Sequence, residues 1–247
     1  MKYDDREISG IGDLLECLSD QAPENEPLWF RGHADKSWKL DCTLARNGGM
    51  DKELPLIRRF KQNALPLITT RPGDEWEWLF LMQHHGLPTR LLDWSESVLV
   101  ALYFAVNDDT TDHENEDGCI WALLPHELNA ISLRDENAKA VLGLGDDKHF
   151  DDYLPSKIVS QVQTFQPLAA TAVRNNPRIQ MQQGVFTVSH KDLSGLDELP
   201  DTQPIWRIII PSAQKSVFRA QLKALNLSKL SLFPELSNAA EHARSLV

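Results

Sequence analysis

A chain of 247 residues with 42% hydrophobic and 25% charged residues has the composition of an ordinary soluble globular protein. Its net charge of −11 argues against general nucleic-acid binding, which depends on clustered Lys and Arg neutralising phosphates. Binding of a small anionic ligand by a few arginines remains compatible with that net charge.

Neither membrane insertion nor export is expected from the sequence. No apolar run has the length of a membrane span, and the first residues lack the basic-then-apolar pattern of a signal peptide. Cys17, Cys42 and Cys119 are odd in number and widely spaced, which argues against a disulfide framework and a structural zinc site. We therefore expect a cytoplasmic protein without membrane contact.

The first ninety residues predict helices around one short buried strand. Apolar residues at helical spacing predict a short amphipathic helix within 8–20 and further helices over 52–68 and 75–85. Leu28-Trp-Phe-Arg-Gly32 is typical of a short buried strand that ends in a turn. Gly86 stands where a helix C-terminal cap belongs.

The remainder of the chain interleaves strands, helices and polar loops irregularly. In order, the pattern predicts a helix over 95–106 after Leu91-Leu92, an acidic loop near 107–118, a strand over 119–124, a strand over 185–188, a polar loop near 190–203, a strand over 205–210 and a helix capped by Ser212. This order favours one α+β domain over residues 1–247, with mixed or split small β-sheets and flanking helices, rather than a doubly wound fold. The two polar loops would then be insertions in that domain.

The first candidate functional residues are Arg31 and Gly32, at the end of a predicted strand. A guanidinium beside an unencumbered glycine backbone lets phosphate or carboxylate approach closely. Arginines in apolar surroundings also serve in buried ion pairs. For these two residues alone the ion-pair interpretation is the simpler one.

His84 and His85 end a predicted helix, where the macrodipole favours a cation. Adjacent helical positions point about 100° apart, so the two rings do not suit one metal ion, and no third ligand stands at a recognisable spacing. One of the two could face a site and bond a substrate hydroxyl. The sequence predicts no metal.

Arg90, Asp93 and Trp94 form a denser group of candidates just beyond those histidines. An Arg–Asp pair can orient the guanidinium, and Trp94 offers a stacking face for a planar ring. Asp93 and Glu96 also have the spacing of a helix capping box, which is the structural alternative.

A weaker group of candidates precedes the strand predicted at 185–188. It contains Arg178, Gln182 and Gln183, and a Gln-Gly step entering a strand can present an amide to a ligand. Glu235, far along the chain, could pair with one of the arginines. No GxSxG elbow, GxxxxGK phosphate loop or GxGxxG fingerprint is present, so hydrolase and nucleotide folds built on those motifs are not expected.

These motifs together resemble a known family, the FRG domain, which takes its name from an aromatic-Arg-Gly motif. The resemblance is carried by Trp29-Phe-Arg-Gly32, the block from Gln83 to Ala105, the element from Arg178 to Thr187, and Leu232-Phe-Pro-Glu235. It spans roughly residues 10–245 in order, and the long middle block is highly specific. The family name indicates the domain and does not by itself imply a reaction.

The chain is similar, less closely, to ADP-ribosyltransferases. In those enzymes Arg-Gly or His-Gly at the end of a first strand holds NAD, a second strand carries a polar motif that leads into a helix, and a third strand begins with a catalytic Glu. Arg31-Gly32 corresponds to the first element, Leu91-Leu-Asp-Trp-Ser95 with Ala101-Leu-Tyr-Phe-Ala105 to the second, and Gln182-Gln183-Gly184 to the third. At that third position this chain has an amide in place of the carboxylate.

The second resemblance implies an NAD-using ADP-ribosyltransferase or NAD glycohydrolase with an arginine-lined nucleotide cleft, and a toxin or defence factor is one role for such an activity. NAD would be a substrate and no metal would take part. The implied catalytic residues are Arg31, Asp93 and Gln183. The implied contacts to the nucleotide come from a larger set: Arg31, Gly32, His84, His85, Arg90, Trp94, Tyr103 and Arg178, with Trp94 or Tyr103 stacking on nicotinamide.

The amide at position 183 leaves three interpretations open. Loss of a carboxylate that stabilises an oxocarbenium-like state typically costs several kcal/mol. Either Asp93 or Glu235 supplies that charge, or the domain is a non-catalytic nucleotide- or peptide-binding sensor or interaction module. In a third interpretation the arginines, Asp93 and one of the two histidines form a buried network that serves only the fold.

Overall fold

The structure of this protein is a computed structural model, which describes residues 1–108, 112–135, 141–172, 176–200 and 204–244. The described strands are β1 (Arg6–Glu7), β2 (Trp29–His33), β3 (Leu91–Ser95), β4 (Gly118–Leu123), β5 (Leu142–Gly143), β6 (Leu168–Thr171), β7 (Gly184–Val188) and β8 (Ile205–Ile210). The described α-helices are α1 (Ile11–Gln21), α2 (Thr43–Arg46), α3 (Glu53–Ala64), α4 (Glu75–His84), α5 (Val98–Val106), α6 (Pro125–Leu133), α7 (Pro155–Ile158), α8 (Pro177–Met181), α9 (Lys215–Ala224), α10 (Lys229–Leu232) and α11 (Leu236–Arg244).

The described strands form one mixed sheet of eight, in the order β1-β8-β4-β2-β3-β7-β6-β5. Parallel pairing is confined to the two ends of the sheet, where β1 pairs with β8 and β5 with β6. The expected α+β class with a mixed sheet is therefore confirmed.

The two longest strands, β4 and β8, lie side by side in antiparallel register over six residue pairs. Their sequences, GCIWAL and IWRIII, are nearly continuous apolar runs, as expected of strands covered on both faces. Ile120 and Ile208 pack on one face, with α1, α5 and α9, whereas Trp121 and Ile209 lie in a cluster on the other face. A separate cluster joins α3 and α4 to β3, β6 and β7.

Helix α5 lies unusually close to β2, and Gly32 makes that approach possible. A Cβ atom on Gly32 would lie 1.8 Å from the carbonyl oxygen of Ala101 in α5. A Cβ atom on Gly118 in β4 would lie 2.4 Å from the carbonyl oxygen of Ala105, one turn further along the same helix. The two glycines therefore seat α5 directly on the backbone of the sheet.

The sheet is split between β2 and β3. Each strand has five residues, but their pairing is confined to Phe30 and Ser95. Beyond that pair the strands separate, whereas β2 stays paired with β4 along its whole length and β3 stays paired with β7. The separation leaves an opening in the middle of the sheet.

Several predicted elements need correction. Residues 91–95 form β3, and the helix begins only at Val98, with Ser97 as its N-cap, so Asp93 and Glu96 do not form a capping box. Ser212 begins a short 3-10 helix, and the α-helix that follows begins at Lys215 without a side-chain cap. Gly86 has the positive φ of 74° expected after a helix end.

The predicted loops at 107–118 and 190–203 are only partly open to comparison, because residues 109–111 and 201–203 lie outside the described part of the chain. Residue 118 already belongs to β4, and a short 3-10 helix covers Leu196–Glu198. Among the described helices, none has both the length and the apolar character needed to cross a bilayer.

Candidate functional site

A cleft of about 230 Å³ opens where β2 and β3 separate. Its walls come from β2, α4, β3, α5, α8 and β7, elements drawn from three distant segments of the chain. Of the residues expected from the sequence, Arg31, Gly32, His84, Asp93, Trp94 and Arg178 line it. The split in the sheet thus brings most of the predicted candidates to one place.

Arg31 bridges the gap between the two strands. Its Nη1 donates to the backbone carbonyl oxygen of Asp93 at 2.6 Å, and its Nε donates to Nε2 of His33 at 3.0 Å. Burial lowers the pKa of the guanidinium, and the Asp93 carboxylate partly opposes that effect. Nη2 makes no hydrogen bond with any residue that the structure describes.

His33 is held neutral behind Arg31. Burial, followed by the charge of Arg31, lowers its pKa to about 3. Its Nε2 accepts from Arg31, so the ring proton of neutral His33 is on Nδ1, which is buried without a partner among the described residues. The imidazole therefore acts as a fixed acceptor that orients the guanidinium.

Asp93 presents the carboxylate of the cleft. Its side chain is exposed, and Oδ1 accepts a hydrogen bond from Nε2 of Gln83 at 2.6 Å. Gln83 also lines the cleft, and its Oε1 accepts from the buried hydroxyl of Thr89. Asp93 is thus tied to α4 through its side chain and to β2 through its backbone.

Arg178 supplies a second guanidinium to the cleft, and His84 supplies an imidazole. Burial lowers the pKa of His84, and the neighbouring His85 and Arg178 add to that effect while Glu235 opposes it. The guanidinium carbon of Arg178 lies 4.7 Å from the centre of the Phe233 ring, a cation–π contact that holds the side chain beside the cleft. Glu235 is exposed and does not line the cleft.

The apolar part of the wall includes four phenylalanines, Phe30, Phe80, Phe104 and Phe186, together with Val100, Ala101 and Ile179. Phe80 and Phe186 pack against each other with ring centres 4.9 Å apart. The cleft therefore combines apolar aromatic surface with two arginines and one carboxylate, which suits a ligand with a planar ring and anionic groups.

Arg90 is not part of this cleft, contrary to the expectation. Its side chain is 0% exposed and its Nε donates to Oε1 of Glu53, which is 1% exposed, at 2.6 Å. Nη1 and Nη2 donate to the backbone oxygens of Ser189 and Tyr153. The guanidinium is thus enclosed in an ion pair of the core. For Arg90 this agrees with the interpretation in which the arginines form a buried network that serves only the fold.

Although Trp94 borders the cleft, it does not offer a free stacking face. It is 3% exposed and packs in the cluster behind the sheet, where its indole N–H donates to Oγ1 of Thr187. Strand alternation places Asp93 and Ser95 on the opposite face from Trp94. Tyr103 of α5 likewise packs against the core, and the next residue, Phe104, lines the cleft instead.

The two remaining candidates, His85 and Gln183, are exposed and lie outside the cleft lining. Gln183 has a positive φ of 47°, and its backbone oxygen accepts from the N–H of Glu96. Gln182 lines the cleft in its place, with Nε2 donating to the backbone oxygen of Leu232 and its own carbonyl oxygen accepting from Ser95.

Helical spacing indicates several cleft-lining residues that were not among the candidates predicted from the sequence. Phe80, Gln83 and His84 stand at i, i+3 and i+4 on α4, so one helical face carries all three. Ala101 and Phe104 share a face of α5 in the same way. Nothing in the local sequence indicated that Gln182 rather than Gln183 would face inward, because that depends on the turn between α8 and β7.

No cluster of three or more His, Cys, Asp or Glu side chains suited to a metal ion occurs among the described residues.

Comparison with known proteins identifies one family. The model of the FRG domain matches residues 26–114, which include β2, α4, β3 and α5. Arg178 and the other cleft residues of α8 and β7 lie beyond the matched segment. No curated protein and no solved structure matches the chain significantly.

Proposed function

Starting from the FRG domain that this chain contains, we propose that its cleft binds NAD and cleaves the nicotinamide–ribose bond, as an ADP-ribosyltransferase or NAD glycohydrolase. The observation that carries the proposal is the convergence of Arg31, Asp93, His84 and Arg178 on one open cleft at the split in the sheet. These residues come from three distant segments, and a purely structural network would be closed to solvent.

The size of the cleft indicates how NAD would lie. Pockets that enclose a drug-sized ligand have volumes of about 300–1,000 Å³. At about 230 Å³ the cleft is smaller, so it would enclose one half of a dinucleotide and leave the other half outside. The nicotinamide ring and its ribose would occupy the aromatic part, with the pyrophosphate at Arg31 and Arg178.

The reaction requires stabilisation of positive charge on the ribose. The bond between the ribose carbon and the nicotinamide nitrogen breaks, its electron pair leaves with nicotinamide, and the ribose becomes oxocarbenium-like. Water or a nucleophilic group of an acceptor then bonds to that carbon and loses a proton. Asp93 is the carboxylate among the cleft-lining residues of the described chain, so we assign it the electrostatic role.

One observation favours a second candidate, a non-catalytic nucleotide-binding module. The position before β7 carries an amide, Gln183, which is exposed, and Gln182 presents another amide to the cleft. An amide keeps the capacity to orient a ligand and lacks the charge. The second candidate predicts NAD binding without turnover.

Nicotinamide release from NAD by the purified protein separates the two candidates. We expect release by the wild type and a fall in kcat of about a hundredfold to a thousandfold in Asp93→Asn, since loss of one preorganised electrostatic group costs about 2.7–4 kcal/mol. The exposed Glu241→Gln on α11 is the matched control and should leave the rate unchanged. Binding without release would support the module, and neither binding nor release would contradict both candidates.

The free, buried state of Cys17, Cys42 and Cys119 suits the reducing cytoplasm in which we place this activity.

A further inference from the structure

We propose that Gln83 and Thr89 are positioning residues that fix Asp93 as a hydrogen-bond acceptor in the cleft, so that the ligand presents a hydroxyl group at this point. This inference rests on the proposed function for its reaction, while its geometry can be tested without any ligand.

The hydrogen bonds of these residues form a series in which each donor and each acceptor is fixed. The backbone N–H of Leu91 donates to Oγ1 of Thr89 at 3.3 Å, which occupies the hydroxyl oxygen as an acceptor. The Thr89 hydroxyl hydrogen is then directed to Oε1 of Gln83. Thr89 is 0% exposed, so water does not compete for that hydrogen.

Asp93, at the other end of this series of hydrogen bonds, requires the same orientation of the Gln83 amide. An ionised carboxylate only accepts hydrogen bonds, so the group that faces Asp93 must be the Nε2 donor of Gln83. The hydroxyl of Thr89 and the carboxylate of Asp93 therefore both select one of the two possible amide orientations. Agreement from both ends fixes the amide, and the amide fixes the carboxylate.

Asp93 is held at two points and keeps one oxygen free. Gln83 binds Oδ1, and Arg31 binds the backbone oxygen of the same residue at 2.6 Å. Within the described chain no group hydrogen-bonds to Oδ2, and the side chain is exposed to the cleft. This oxygen can accept from a ligand hydroxyl, and it repels a ligand phosphate.

Together with Arg31, this arrangement specifies a class of ligand. A hydroxyl donor at Asp93 and an anionic group at the free Nη2 of Arg31 describe a sugar phosphate. Among nucleotides, those with free ribose hydroxyls fit. Nucleotides that carry a phosphate, or no hydroxyl, at the ribose position facing Asp93 do not fit.

The first experiment needs no ligand and uses the side-chain amide signal of Gln83 in a nitrogen–proton NMR spectrum. We expect slow solvent exchange of these protons in the wild type and in Thr89→Ser, which keeps the hydroxyl. Exchange should become fast in Thr89→Val, which keeps the shape and removes the hydroxyl, and also in Asp93→Asn. Equal exchange rates in all four proteins would overturn the hydrogen-bond chain.

The second experiment measures positioning through kinetics of nicotinamide release. Thr89→Val should lower kcat about tenfold, corresponding to about 1.4 kcal/mol, with KM close to that of the wild type. Thr89→Ser should restore kcat. If Thr89 served only the fold, Thr89→Val would lower the thermal midpoint and leave kcat per folded molecule unchanged, and that result would overturn the positioning role.

The third experiment tests the ligand class by NMR titration with nicotinamide mononucleotide and its 2′,3′-dideoxy analogue. A hydrogen bond to a charged group contributes about 1.5–3 kcal/mol, so the analogue should bind about ten- to a hundredfold more weakly. Equal binding of the two would overturn the hydroxyl requirement. If the wild type releases no nicotinamide from NAD, the proposed function fails, while the exchange measurement still decides whether Gln83 and Thr89 fix Asp93.

Discussion

Arg31 and Arg90 stand in similar sequence surroundings and have different roles. Arg90 donates to a carboxylate and two backbone oxygens in a closed core, whereas Arg31 keeps one nitrogen without a partner among the described residues and faces an open cleft. The sequence could identify both as arginines in apolar settings. It could not separate them, because Glu53 and Tyr153, which enclose Arg90, are distant in the chain.

Arg90→Ala should destabilise the protein strongly. The substitution leaves the carboxylate of Glu53 buried without its partner, which typically costs about 3–5 kcal/mol of unfolding free energy. Urea unfolding followed by circular dichroism measures the change, with the exposed Arg59→Ala on α3 as the control, expected within about 0.5 kcal/mol of the wild type. Equal stability of the two variants would show that the buried pair contributes little.

His33 should make stability depend on pH in the weakly acidic range. Its pKa is about 3 in the folded protein against an ordinary value of 6.5, so between these values the unfolded chain binds a proton that the folded chain does not. The contribution of His33 is complete above the unfolded value and decreases as the pH falls toward the folded value. Its slope is about 1.4 kcal/mol per pH unit.

Unfolding curves of the wild type and His33→Gln between about pH 7 and pH 5 test this prediction. The wild type should lose stability faster than the variant as the pH falls, because glutamine does not titrate. Parallel pH dependences would contradict the neutral, buried state of His33.

At the scale of elements, the main difference from the sequence prediction is β3. Leu91-Leu92 was expected to lead into a helix over 95–106, whereas residues 91–95 form a central strand. Short apolar runs do not distinguish strand from helix by periodicity alone. Extending the strand to Ser95 would have placed Trp94 on the face opposite Asp93, and would have removed it from the candidates for ring stacking.

Gly32→Ala should disturb the contact between β2 and α5. The added Cβ would lie 1.8 Å from a backbone oxygen of the helix, which no side-chain movement can relieve. We expect a loss of about 3 kcal/mol or more in unfolding free energy, the upper end of the range for overpacked cores. The control is Gly12→Ala in α1, where a Cβ meets nothing within 4 Å.

The control variant should be as stable as the wild type or more stable by up to about 1 kcal/mol, since alanine is the better helix residue. Chemical unfolding of the three proteins gives both values. If Gly32→Ala were as stable as Gly12→Ala, glycine at position 32 would serve the ligand rather than the packing of the helix.

At the scale of the whole molecule, the cleft depends on the order of strands in the sheet. The sequence predicted which segments carry candidate site residues, and β2, β3 and β7 occupy neighbouring positions in the sheet. It could not predict that β2 and β3 separate after one residue pair, because local patterns do not specify the pairing of strands that are distant in the chain. Arg178 and Gln182 come from the part of the chain beyond residues 26–114, so the matched domain segment alone does not complete the cleft.

Calorimetric titration of the purified protein with NAD tests the central claim that this cleft binds a nucleotide. We predict one binding site in the wild type and a loss of affinity of about tenfold or more in Arg31→Met and in Arg178→Met, since each removes a charge-assisted contact of about 1.5–3 kcal/mol. Arg59→Met, which changes an exposed arginine on α3 outside the cleft, should bind as the wild type does. Absence of binding to the wild type, or unchanged affinity in Arg31→Met, would contradict the assignment.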